Sequence, residues 1–530
     1  MNLRHDDEPH YQNPILDEDR PDPDAIRVGR DFYLVASSFN RAPGLPVFTS
    51  RDLVNWAPVT SAIPRNEPED WFRLPRHGGG VWAPSIRHHE GTFHIVFPDP
   101  DRGILVTSAT DAAGPWTEPR VLLEGLGLID PCPLWDDDGA AYLVHGWAGS
   151  RAGRKNELWV APVDARLTTA LGPSRLVIDG NALDGYRTLE GPKFYKRDGW
   201  YWIFAPAGGV ATGWQSVFRS RSVFGPYEGR IALEQGETTV NGPHQGAWVD
   251  AGDGTDWFLH FQDRGAFGRV LHLQPMAWDA EGWPLMGRAV SGGAAVPVLR
   301  HPSPLGAVQQ RRTLAADDDF IDGIDANWAW QANPRADWWD TGSDGLRLVA
   351  VPNDGGNLRA IPQVLGQPLP GMPTSAEVSI RVDGPPGTRA GLLVLGRSYL
   401  WVGLRVGDGG RRLVVATRID GRLEEEIVRD RPWASDEVRL RVIVDSDAVV
   451  SALVLDGGVW QELAVAFTAV AGHWIGAEIG IFAAAPLGGE PGVARMQRFR
   501  IRTEDPVGAQ DPIDTEEPDG AQAPVSRSRA

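Results

Sequence analysis

The sequence predicts an all-β protein, a five-bladed β-propeller followed by a β-sandwich, and three observations carry that prediction. A unit built on an aromatic-rich strand recurs five times before residue 305, and recurrence of this kind is the signature of a repeat architecture. After Leu305 apolar residues alternate with polar ones, the period of antiparallel strands buried on one face. No stretch shows the apolar period of an amphipathic helix.

A chain of 530 residues exceeds the roughly 250 to 300 that one hydrophobic core can organise. With 42% hydrophobic and 23% charged residues, it has the composition of a folded globular protein. The expected division is a propeller over 1–304, a sandwich over 305–503 and a tail over 504–530. The tail is rich in Pro, Gly, Ala, Ser and acid, with too little apolar surface to fold, and is expected to be disordered.

The five aromatic strands lie at 32–35, 93–96, 141–144, 201–204 and 257–260. Each follows a turn, namely Gly29-Arg30-Asp31, Glu90-Gly91, Asp137-Asp138-Gly139, Arg197-Asp198-Gly199 or Asp253-Gly254, residues suited to tight hairpins. Before each turn an apolar residue marks a first strand: Ile26, Ile86, Leu134, Phe194 and Trp248. Four positions upstream of these lie Asp22, Trp82, Asp130, Glu190 and His244. Further strand signals ending in aromatics follow the hairpins, as in Gly114-Pro115-Trp116 and Gly225-Pro226-Tyr227, so each unit holds the several strands of a propeller blade.

The first strand of every blade lines the central channel, so equivalent positions there converge near the axis. Gathering Asp22, Asp130 and Glu190 at one mouth penalises their charged forms through repulsion and burial, a cost that a catalytic role explains. Hydrolysis of a glycosidic bond needs one carboxylic acid to protonate the leaving oxygen and one carboxylate to handle water or the anomeric carbon. A third carboxylate beside the acid would keep it protonated near neutral pH. Singly, each residue has a plainer reading: Asp22 and Glu190 as turn residues, Asp130 as a strand cap, Trp82 as core. The shared offset outweighs those readings for the acids.

The motifs that carry these residues resemble those of family 43 glycoside hydrolases. Pro21-Asp22-Pro23-Asp24, Gly79-Gly80-Val81-Trp82-Ala83-Pro84, Ile129-Asp130-Pro131, Leu189-Glu190-Gly191-Pro192 and Gly242-Pro243-His244-Gln245-Gly246 stand in that family's order. The resemblance implies an inverting mechanism with Asp22 as general base, Asp130 as modulator of the acid and Glu190 as general acid. It implies that Phe39 and Trp82 wall the sugar pocket and that Arg269 touches both the sugar and the acid-tuning aspartate. His244 matches a histidine that in some members binds calcium in the channel, the one cofactor expected. Trp147 and Trp214 are further candidates for contact with sugar, whose apolar faces stack on flat aromatic ones. The chain departs from many members at Asp24 and Ser85, where local hydrogen bonding is expected to differ, while the three acids are intact. Its alternating strands, at 376–382 and 438–444 for example, resemble the C-terminal sandwich of the xylosidase-like branch, which packs on the propeller and helps close the pocket.

The expected substrate is therefore a small oligosaccharide, cut from its end to release a pentose by a β-D-xylosidase, with α-L-arabinofuranosidase as the alternative. An endo-arabinanase would need an open groove. The rival from another class is a non-catalytic carbohydrate-binding protein, which would tolerate loss of the acids that this chain keeps. A formal net charge of −19 without a basic cluster argues against nucleic acid. No membrane-spanning apolar run and no secretory signal are visible, so a cytoplasmic enzyme is expected. The sequence sets no oligomeric state. Its single cysteine, Cys132, allows no intrachain disulfide, and its apolar neighbours predict inert packing.

Overall fold

A computed structural model, which describes residues 8–353 and 356–504, contains five four-stranded antiparallel sheets followed by two large sheets packed face to face. Residues 505–530 of the expected tail lie outside the described residues. Each four-stranded sheet is one blade, its strands in chain order. The first strands are Asp24–Val28, Ser85–His89, Leu128–Trp135, Lys193–Arg197 and His244–Asp250, and they lie against one another from blade 5 through blade 1 to blade 4, ringing the axis.

The second strand of each blade explains the aromatic signature. Successive strand side chains point to opposite faces, and here both faces meet another blade. Leu34 packs into the cluster shared with blade 5 and Val35 into the one shared with blade 2. Leu143 faces blade 2 and Val144 faces blade 4, while Phe258 faces blade 4 and Leu259 faces blade 1. Strands buried on both faces read as continuous apolar runs. The N-terminal segment closes the ring. His10–Gln12 pairs with Arg300–Pro302, Ile15 N donates to Leu271 O, and the Asn13 side chain brackets Leu273 with bonds of 2.7 and 2.8 Å. The one α-helix among the described residues, Gly149–Ala152, has four residues. No helix among them is long and apolar enough to cross a membrane.

The sandwich joins an eight-stranded sheet to a seven-stranded one. Burial on one face holds for the seven-stranded sheet, where Val438, Leu440, Val442 and Val444 enter the core and the residues between them do not. The eight-stranded sheet departs from that expectation. Leu392, Val394 and Val402 enter the core, but Leu393, Leu395 and Trp401 pack on the other face beneath Leu358, Ile361 and Val364. The segment around Leu358 covers what would otherwise be a solvated surface. The sandwich seats on the propeller through buried polar contacts: Glu18 accepts from Thr313 Oγ1 (2.5 Å) and Leu314 N (2.9 Å), Asn333 exchanges two 2.8 Å bonds with Asn66, and Arg41 pairs with Glu478.

Candidate active site

All five positions of the register fall where a first strand begins. Asp22 and Trp82 stand two and three residues before theirs, Glu190 three before Lys193, and His244 opens its strand. Asp130 lies inside Leu128–Trp135, at a bulge between Ile129 and Cys132, a device that re-aims side chains. Asp22 and Asp130 both adopt left-handed backbone, with φ of 53° and 55°, at a cost of about 1 kcal/mol each.

Both oxygens of the buried Asp22 are held: Ser37 Oγ donates to Oδ2 (2.5 Å) and Arg269 Nη1 to Oδ1 (2.7 Å). Asp130, also buried, accepts from Gly191 N at 2.7 Å, the residue after Glu190. Glu190 is the most open of the three, its side chain 30% exposed, and its Oε1 lies 3.2 Å from His244 Nε2. Burial first, then the charge of Glu190, push the Asp130 carboxyl up to about 8, with Asp22 adding in the same direction. The coupled Asp130–Glu190 pair therefore keeps a proton at neutral pH.

Three aromatic rings cluster where the propeller meets the sandwich. Phe39, whose backbone N–H bonds Val81 O, stands 6.2 Å from Trp82 between ring centroids. The third ring comes from the sandwich: Trp474 lies 6.5 Å from Trp82, with the Arg269 guanidinium 6.0 Å from its centroid. Its loop is docked by close backbone approach, since a Cβ on Gly476 would meet the Cα and N of Gly268 at 2.9 Å. Buried Asp19 secures the junction by accepting from Arg269 N (2.7 Å) and from the Gly476 N–H. A cavity of about 210 Å³ lies beside Arg269 and Trp474, with Asp263, Arg397 and His473 among its lining residues.

Residues 11–284 match the family model for glycosyl hydrolases family 43, and 317–502 match the β-xylosidase C-terminal concanavalin A-like domain. The chain belongs to glycoside hydrolase family 43. Among curated relatives of this family 43 enzyme, a Xylanibacter ruminicola protein is 35% identical over 480 residues, covering 89% of this chain and 85% of its own. A β-xylosidase of Formosa agariphila is 29% identical over 527 residues (89% and 87%), and a non-reducing-end α-L-arabinofuranosidase of Bacteroides ovatus is 30% identical over 347 residues (62% and 62%). The fold is shared with a family 43 protein from Bacillus licheniformis, at a TM-score of 0.80 and 24% identity over 93% of this chain and 100% of the other.

Some residues of the family 43 enzyme stand elsewhere than the sequence implied. Arg269 bonds Asp22 rather than the acid-tuning Asp130, because its strand follows Asp263–Arg269 pairing on the blade next to blade 1. Trp147 lies under Arg154 against Trp159 and His145, and Trp214 packs on Tyr186 and bonds Ser216. Cys132 is buried but not inert packing, since its sulfur accepts hydrogen bonds from Arg87 (2.8 Å) and Phe194 N (3.2 Å). At His244, Nε2 faces Glu190 and buried Nδ1 has no hydrogen-bond partner among the described residues, among which no group of three or more His, Cys, Asp or Glu could hold a metal; a calcium ion here would take most of its six to eight oxygens from water. Sequence reasoning missed Ser37, Asp19 and Trp474; Ser37 lies two residues before the candidate Phe39, but nothing periodic marks Trp474.

Proposed function

We propose that this enzyme is an inverting, exo-acting β-D-xylosidase, with Asp22 as general base, Glu190 as general acid and Asp130 as the residue that tunes the acid. The observation that supports it most is the unequal treatment of three converging carboxyls. Asp22 is clamped by Ser37 and Arg269 yet keeps a lone pair on each oxygen, so it can align a water and take its proton. Glu190 is the open one, placed to reach a leaving group arriving from solvent. Asp130 is buried behind it, and repulsion between the two keeps a proton on the pair.

In the reaction, Glu190 protonates the glycosidic oxygen as the bond to the anomeric carbon breaks, while water on the opposite face attacks that carbon and yields its proton to Asp22. The Arg269 guanidinium holds the base's plane and offsets its charge. Trp474 of the sandwich comes within 6.5 Å of Trp82, an approach that favours release of one terminal sugar at a time over action along an open groove. The pentose preference rests on the relatives, whose names include β-xylosidase and α-L-arabinofuranosidase. The second is the alternative reading, because the same acids serve both sugars. Rates on nitrophenyl β-D-xylopyranoside and α-L-arabinofuranoside separate them; a higher kcat/KM on the furanoside overturns the first. Proton NMR of the first-formed anomer tests the stereochemistry, and β-xylose as initial product rules out inversion.

A further inference from the structure

Directly beneath the three acids, the first strands are tied together by buried charge. Asp24, two residues after Asp22, is fully buried; its Oδ2 accepts from Ile86 N (2.8 Å) and Arg87 Nη1 (2.6 Å). Its Oδ1 has no hydrogen-bond partner among the described residues and faces Lys193 Nζ at 3.9 Å across the channel. Lys193, three residues after Glu190 and almost wholly buried, donates to Pro84 O and Ser85 Oγ, both at 2.8 Å. Arg87 continues to the sulfur of Cys132, two residues after Asp130. Each of Asp22, Trp82, Asp130 and Glu190 is thus followed, within three residues, by a member of one network.

Burying ions in this way is a poor route to stability, because desolvation offsets most of the attraction and apolar replacements often serve as well. Geometry gives the network a purpose. Inversion needs base and acid held roughly 6.5 to 9.5 Å apart, and a misplacement of about 1 Å can cost about 100-fold in rate. We propose that Lys193 and Asp24 are positioning residues, whose ion pair spans the channel and sets the separation of the base-bearing strand of blade 1 from the acid-bearing strand of blade 4. Arg87 and Cys132 extend the same tie to the strand of Asp130. Two cations against one carboxylate also leave positive charge under the site, and Lys193 acts on Asp130 in the direction that opposes its burial.

The inference rests on Asp22 and Glu190 being base and acid, so Asp22→Asn and Glu190→Gln are measured alongside. Lys193→Met leaves the Asp24–Arg87 pair intact. It is expected to lower kcat on xylobiose about 100-fold with KM within about threefold, and to move the alkaline limb of the pH–rate profile upward as the cation near Asp130 is lost. Ser85→Ala keeps every charge and removes only the hydroxyl that seats Lys193. It is expected to lower kcat about fivefold at unchanged Tm, which keeps the test decisive should Lys193→Met not fold. Folded Lys193→Met with near wild-type kcat, an alkaline limb that stays in place, or Ser85→Ala at full rate overturns the positioning role. If Asp22→Asn and Glu190→Gln stay active, the acid–base assignment has failed instead.

Discussion

The propeller and the sandwich bury their polar residues in different ways. In the propeller, apolar side chains fill the seams between blades, which leaves the first strands free to carry Asp22, Asp24, Asp130, Glu190 and Lys193 along the channel. In the sandwich, apolar side chains fill the space between the sheets, from Val378 and Leu440 to Leu392 and Ile481, and the ion pair to the propeller, Arg41–Glu478, sits on the docking face. The sandwich brings Trp474 to the site on a loop, with His473 and Arg397 beside it in the cavity lining. A repeat built around an axis brings distant acids together; a two-layer sandwich can only lean an edge over them. Chemistry should therefore be lost through propeller substitutions and fit through sandwich ones.

The sharpest way to break that division is to remove the acids. Asp22→Asn should lower kcat/KM by about 1,000-fold or more on xylobiose and aryl xyloside alike, since water must be activated whatever leaves. Glu190→Gln should match that loss on xylobiose but fall only about 10-fold on a dinitrophenyl xyloside, whose leaving group needs no proton. The reverse pattern would exchange the two roles.

On the sandwich side, Trp474→Ala should raise KM about 10-fold with kcat little changed, as expected for loss of one aromatic wall. Gly476→Ala, which forces its loop away from Gly268, should do the same without touching the ring. A kcat loss as large as that of the acid variants would place chemistry in the sandwich and abolish the contrast.

Asp130→Asn should have a smaller effect on peak rate and a clear one on pH dependence. Losing one carboxyl of the coupled pair should move the alkaline limb down by about 1 to 2 pH units. Stability carries the opposite sign of an ordinary paired aspartate. The folded carboxyl sits near 8 against 3.8 when unfolded, so its contribution is fully present below pH 3.8 and lost as pH rises toward 8. Urea unfolding of Asp130→Asn should show a flatter pH dependence across that window. The smallest expected effect is that of exhaustive chelation, which should lower kcat/KM, with recovery on added calcium, if the ion expected at His244 is held there; unchanged kcat/KM leaves His244 as a partner of Glu190 alone.

By itself the sequence determined what depends on local pattern. One hairpin offset, repeated at Asp22, Trp82, Asp130, Glu190 and His244, was enough to place five residues at equivalent strand starts, because a blade's geometry is set by its own turns. Alternation after Leu305 was enough for the sandwich, though not for the second buried face near Leu393, which depends on a covering segment elsewhere in the chain. Only the tertiary structure decided which groups touch. That Arg269 bonds Asp22 follows from the ring closing blade 5 onto blade 1, and that Trp474 reaches the pocket follows from Gly476 meeting Gly268. Such contacts join positions hundreds of residues apart, where no period relates them, and their energy comes from burial and hydrogen bonding that exist only once both domains have folded.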